Sequence, residues 1–297
     1  MKSWPTRRGI AVAAVALWSV VAGWPAAEPN VEPNLDRASA LYQQTEYRQA
    51  LQIIEPAQPK TASTYQLLGQ CYYMLEDYKK ASEAFEKAVS AGGRSSVAWD
   101  WLGRAYGKRA ENAFALIAPS YASKARQNFE KAVELDPNNL EAVDDLFEYY
   151  LEAPGLLGGG MDKAAQLSSR IRERAPALYH NMQARIAEKN KQFAIAEQHW
   201  RAAAEAAPAT PGSWIELARF LARQGRYADS DAAFDRASQL APDSARLKFH
   251  RARSYIESNR NLAEARKLLQ EYLVSALTPD DPPRSEAQKL LQKLAKG

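Results

Sequence analysis

A chain of 297 residues with 46% apolar and 25% charged side chains is too apolar for a disordered polymer and long enough to bury a sizeable core. Its 39 Lys and Arg against 35 Asp and Glu leave a formal charge of +4 spread over the whole length, which argues against a nucleic-acid partner. The only cysteine, Cys71, cannot close an internal disulfide, and no Cys or His set has metal-site spacing, so no metal and no cofactor is expected.

In chain order, Lys2, Arg7 and Arg8 precede an apolar run from Ile10 to Val21 and then small residues around Val21-Ala22-Gly23 and Ala26-Ala27. A charged start, a short apolar stretch and a small-residue exit are the parts of an export signal. The run of about twelve residues falls short of the ~20 that a spanning helix needs. Residues 1–27 are therefore expected to be a cleaved signal peptide, with a cut anywhere from Ala22 to Ala27, and residues 28–34 a loose leader holding Pro29 and Pro33. The expected location is periplasmic or secreted, with an inner-membrane attachment through this segment if it stays uncleaved. Arg7-Arg8 also echoes the paired arginines of signals for folded export, and no cysteine follows the run to carry a lipid.

Beyond the leader the chain repeats itself. Tyr65, Leu68, Gly69 and Tyr72 recur 34 residues later as Trp99, Leu102, Gly103 and Tyr106. Phe193, Ala196, Trp200, Ala203 and Pro208 recur, again 34 residues on, as Tyr227, Ser230, Phe234, Ala237 and Pro242. Within each half, bulky residues at i, i+3, i+4 and i+7 make one helical stripe, and a 34-residue period calls for helix pairs. Small residues at Gly69, Gly103 and Ala218 let crossing helices approach, and each pair alone leaves an apolar face that a neighbour must cover.

These residues resemble the tetratricopeptide signature of a bulky residue, Leu-Gly, Tyr, then Ala, an aromatic, Ala and a closing Pro. The resemblance implies an all-α, right-handed solenoid over residues 35–278. Its seven pairs are expected near residues 31–61, 62–95, 96–139, 140–176, 177–210, 211–244 and 245–278. A helix over residues 284–296, with Ala287, Leu290, Leu291 and Leu294 on one face, is expected to cap the last pair. Two units are enlarged. Ten extra residues around Glu111 to Ser120 are expected to lengthen both helices of the third, and Pro154-Gly155-Leu156-Leu157-Gly158-Gly159-Gly160 enlarges the turn of the fourth. Together these enlargements resemble a bacterial exported subgroup of the family.

The resemblance also places the residue after each Gly or Ala on the concave groove, which gives Arg104, Glu148, Arg185, Arg219 and Arg253, with Arg223 and Arg246 nearby. The groove is then expected to be acidic in the middle, where Glu141, Asp144, Glu148 and Glu152 lie, and basic toward the C-terminus. Guanidinium forks pair with carboxylates, so a protein or peptide carrying acidic groups is the expected partner. The competing reading pairs these arginines with Glu188, Glu216 and Glu257 as a solvated face. Gln66 and Gln70 replace the Lys and Asn of chaperone-tail clamps.

Gly158–Gly160 lacks phosphate-loop spacing and is expected to close a turn. The histidines, His180, His199 and His250, are placed in three separate repeats and read singly as structural or solvated, and Cys71 as an inert core thiol. No catalytic set emerges. The expected function is a non-catalytic, protein-binding envelope scaffold, with an anionic-polysaccharide binder as the alternative.

Overall fold

A computed structural model describes residues 33–92 and 94–296. The expected signal peptide and most of the leader lie outside the described residues. Among those described, every regular element is a helix, and the first seven pairs run in order. They are α1 (Pro33–Gln43) with α2 (Tyr47–Ile54), α3 (Ala62–Met74) with α4 (Tyr78–Ala91), and α5 (Ser96–Glu111) with α6 (Ala118–Leu135). Next come α7 (Leu140–Glu152) with α8 (Met161–Ser169), α9 (Pro176–Lys189) with α10 (Phe193–Ala206), and α11 (Pro211–Arg223) with α12 (Tyr227–Leu240). The last pair, α13 (Ala245–Glu257) and α14 (Leu262–Val274), is followed by α15 (Arg284–Lys296), whose Ala287 is buried against it with Leu290, Leu291 and Leu294 alongside. The architecture is the expected α-solenoid with a C-terminal cover helix.

Local chemistry sets the helix boundaries. Thr61, Asp77, Ser95, Asn139 and Ser244 each accept a backbone N–H of the helix they open. Pro176 and Pro211 start α9 and α11, where a missing N–H costs nothing. The turns inside the regular pairs share one left-handed residue at matching positions: Thr45, Glu76, Lys191, Gly225 and Asn259. The third and fourth pairs do not use it. In the third, α5 and α6 run to 16 and 18 residues, so the extra sequence does lengthen both helices. In the fourth, a 3-10 turn (Gly155–Leu157) and the glycine triplet take its place.

The small-residue positions work by letting an aromatic ring in. A Cβ on Gly69 would lie 2.6 Å from the Phe85 ring, and one on Gly103 would lie 2.5 Å from the Phe129 ring. Phe85, Phe129, Trp200 and Phe234, the aromatics of the second helices, are buried on this seam. Truncating such an aromatic costs about 3–5 kcal/mol.

First helices of successive pairs touch, whereas second helices do not pack on one another, so the stack curves with its first helices inside. That inner succession is thinnest between α9 and α11. The core divides at the same place: Met182 of α9 belongs to the cluster running back to α4, and Ala184 and Ala187 belong to the one running forward to α13. The two ends of the stack meet, for Arg284 at the start of α15 donates to Thr45 Oγ1 (3.2 Å) in the turn of the first pair.

Candidate partner-binding cleft

Where α9 and α11 part, the inner face opens into a cleft of about 790 Å³ lined by α7, α9 and α11, with Trp200 of α10 and Arg246 of α13. Five acids (Asp144, Glu148, Glu152, Glu188, Glu216) face five bases (Arg185, Lys189, Arg219, Arg223, Arg246) in it. Most are paired across helices one repeat apart. Arg185 reaches back to Asp144 (2.7 Å) and to Glu148, Lys189 to Glu152 (2.5 Å) and Arg223 to Glu188 (2.8 Å). Glu188 is fixed from the other side by the Trp200 indole N–H, 2.7 Å away. Arg219 pairs within its own helix, with Glu216 at 2.8 Å. Surface pairs of this kind exchange partners at little cost, because each contributes about 0–1 kcal/mol.

Arg246 differs from these. Its guanidinium has no hydrogen bond or ion pair among the described residues, and it stands with Arg219 and Arg253 around His250. Burial first, and then those three cations, push the imidazole down to about 3, so His250 is neutral at physiological pH. Its Nδ1 is buried without a partner.

Of the residues expected on the groove, the cleft therefore gathers Glu148, Arg185, Arg219, Arg223 and Arg246. Arg253 lines an adjoining hollow of about 170 Å³ with Arg219 and Arg223, and pairs with Glu257 at 2.8 Å. Arg104 stands apart from both. It is held between α5 and α7 by Asp100 (3.0 Å), Glu141 (3.4 Å) and Asp145, with the Trp101 ring 4.8 Å away. Asp100 is only 1% exposed, and burial, with the charges of Asp145 and Glu141, lifts its carboxyl to about 8 against the pull of Arg104.

The competing expectation, that the arginines pair with carboxylates of adjacent turns, describes Arg219, Arg223 and Arg253. The glycine triplet closes a turn as expected. The Gly158, Gly159 and Gly160 N–H groups donate to Gly155, Pro154 and Tyr150 carbonyls, and a Cβ on Gly159 would fall 1.9 Å from the Ala153 carbonyl oxygen. Its amides are thus spent internally and none is left for an anion.

Two features escaped the sequence reading. Trp200 occupies the aromatic position that is Phe85, Phe129 and Phe234 elsewhere, and the signal was its one extra group, an N–H able to anchor a carboxylate. His180 and His199 are in one helix pair rather than isolated, and their Nδ1 atoms meet at 3.0 Å.

Family models described as tetratricopeptide repeat match residues 34–91 and, with a second model, residues 181–245 and 221–282. The chain belongs to the tetratricopeptide repeat family. It is similar to a tetratricopeptide repeat protein from Parabacteroides merdae ATCC 43184, with a TM-score of 0.57 and 14% identity over 89% of this chain and 98% of that one. It is also similar to a chain in the crystal structure of the APC/C hetero-tetramer Cut9-Hcn1, with a TM-score of 0.50 and 16% identity over 90% of this chain and 49% of that one. At such identities the likeness is one of fold. Superkiller protein 3 of Schizosaccharomyces pombe is 29% identical over 135 residues, which are 42% of this chain and 9% of that protein's length. Membership in this family marks the chain as a protein-interaction scaffold.

Proposed function

We propose that this tetratricopeptide protein is a non-catalytic scaffold of the bacterial envelope that holds a polypeptide segment in the cleft between α7, α9 and α11. The carrying observation is the unpaired Arg246 beside Arg219, at one end of a cleft whose other end holds Asp144, Glu148 and Glu152. A segment with an acidic residue at one end and a basic one at the other would match both, and would exchange partners with ion pairs that are individually weak.

The balance of five acids and five bases favours a polypeptide over the alternative, an anionic polysaccharide, because a polyanion needs a continuous stripe of uncompensated cations. The envelope setting is supported by Lys2, Arg7, Arg8 and the apolar run that follows them.

The test is a pull-down from envelope extract with wild type and with an Arg219→Glu, Arg246→Glu variant. Loss of specific partners from the variant is expected, and identical partner profiles would remove the cleft from consideration. Fractionation of cells expressing the chain with and without residues 1–27 tests the setting separately, with retention of the shortened form in the cytoplasm expected.

A further inference from the structure

His180 of α9 and His199 of α10 lie outside the cleft lining, in the one helix pair where the inner succession thins. Both rings are only partly buried. Their centroids are 5.3 Å apart at an interplanar angle of 34°, and the Tyr179 ring stands 5.1 Å from one and 6.4 Å from the other, which limits how far either can turn. The Nδ1 atoms face each other at 3.0 Å. Neither Nε2 has a protein partner among the described residues, so each can carry its proton into water and leave the Nδ1 lone pair bare. Two bare lone pairs 3.0 Å apart repel, and either of two changes relieves them: the tautomer in which one ring's Nδ1–H donates to the other's Nδ1, or a metal ion that both nitrogens bind.

We propose that His180 and His199 form a two-imidazole site for a borderline divalent transition-metal ion of the Cu(II), Ni(II) and Zn(II) class. Imidazole nitrogens bind such ions at about 2.0–2.1 Å, and two of them in neighbouring positions of one ion lie about 2.9–3.4 Å from each other. The pair already stands at that separation, so binding needs the bridging Nδ1 proton to pass to the same ring's Nε2 by way of water and both rings to turn their Nδ1 lone pairs onto one ion, with the helices left in place. Among the described residues no group of three or more His, Cys, Asp or Glu side chains converges as a metal set, so water completes the coordination. With two neutral nitrogen ligands and no carboxylate, the site selects against Mg(II) and Ca(II), which take oxygen ligands.

Both imidazoles are shifted toward the neutral, ligating form, His180 by burial and then by Arg172, and His199 by burial and then by His180. Arg172, whose guanidinium lies 5.6 Å from the Tyr179 ring centroid, is the opposing charge on an incoming dication.

The experiment titrates the full chain with Cu(II), Zn(II) and Mg(II) salts by calorimetry at neutral pH and records the Cu(II) paramagnetic resonance spectrum. Expected are a Cu(II) event weaker for Zn(II) and absent for Mg(II), and a spectrum showing two imidazole nitrogens. His180→Gln or His199→Gln should weaken the event by more than about tenfold, since even outer partners of a metal ligand are worth 10–100-fold. Arg172→Gln should tighten it and His250→Gln should leave it unchanged. Cu(II) binding that survives in the double variant, that falls equally in His250→Gln, or that shows no paired nitrogens in wild type would overturn the proposal. The spectrum keeps the test decisive if either variant folds poorly.

Discussion

Arg104 and Arg219 occupy the same place in their repeats, one residue beyond the small residue Gly103 or Ala218, yet they end in different surroundings. Around Arg104, α5 and α7 pack on each other, and three carboxyl groups from the two helices close on one guanidinium. Around Arg219, α9 and α11 stand apart, and the guanidinium keeps a single partner on its own helix, at the edge of an open cleft. Repeat position fixes where an arginine emerges. The spacing of the neighbouring first helices decides whether it becomes a structural rivet or a contact available to a partner.

The sharpest way to break this comparison is to remove both guanidiniums. Arg104→Ala strands Asp100, which is 1% exposed, so an unfolding cost of about 3–5 kcal/mol is expected in urea melts at alkaline pH. Arg219→Ala should cost less than about 1 kcal/mol. Equal losses would show that the two sites are energetically alike.

Next in size is the pH dependence. The folded Asp100 carboxyl keeps its proton up to about 8, while its ordinary value is 3.8. Between those values the unfolded chain binds fewer protons than the folded one, so stability is fullest at the acid end, declines as pH rises through the window, and levels off above it. Asp145, shifted upward chiefly by burial, adds to the same trend. Asp100→Asn should therefore flatten the slope of urea midpoint against pH between about 4 and 8, and an unchanged slope would count against the cage.

Smaller effects probe the cleft. Trp200→Phe removes the indole donor to Glu188 while keeping an aromatic in the seam, for an expected loss of about 1 kcal/mol. Arg246→Ala should leave the unfolding free energy from urea melts within about 0.5 kcal/mol of wild type, as fits a side chain without partners, and should weaken partner capture.

Much of the fold was legible because the repeat signature consists of contacts between residues of fixed separation. Gly69 receives Phe85 and Gly103 receives Phe129 because both members of each pair are written into one unit, whereas the helical spacing of Ala110, Phe114 and Ile117 pointed to the longer α5 and α6 for the wrong reason, since Phe114 and Ile117 lie exposed in the connection between them. The cleft was legible in its residue types, and less so in its extent. Nothing in the period tells that α9 and α11 diverge, so Arg104 and Arg219 looked alike. The meeting of His180 with His199 depends on the rotation of two antiparallel helices about their own axes, which a 34-residue register leaves open.

The contact between Arg284 and Thr45 turns a stack with two ends into a band with a seam. After burial, the charge of Asp280 helps raise the Tyr42 phenol, and those of Asp281 and Asp280 help raise that of Tyr47, so the seam has acidic and aromatic sides as well as a hydrogen bond. A net worth of about 1 kcal/mol for such a bond is small enough for the seam to part thermally in a sizeable minority of molecules. Inside a closed band, the middle of a long polypeptide can be reached only by threading a free end or by waiting for that opening. The rate of capture of an internal segment would then follow the seam, while the affinity would follow the cleft.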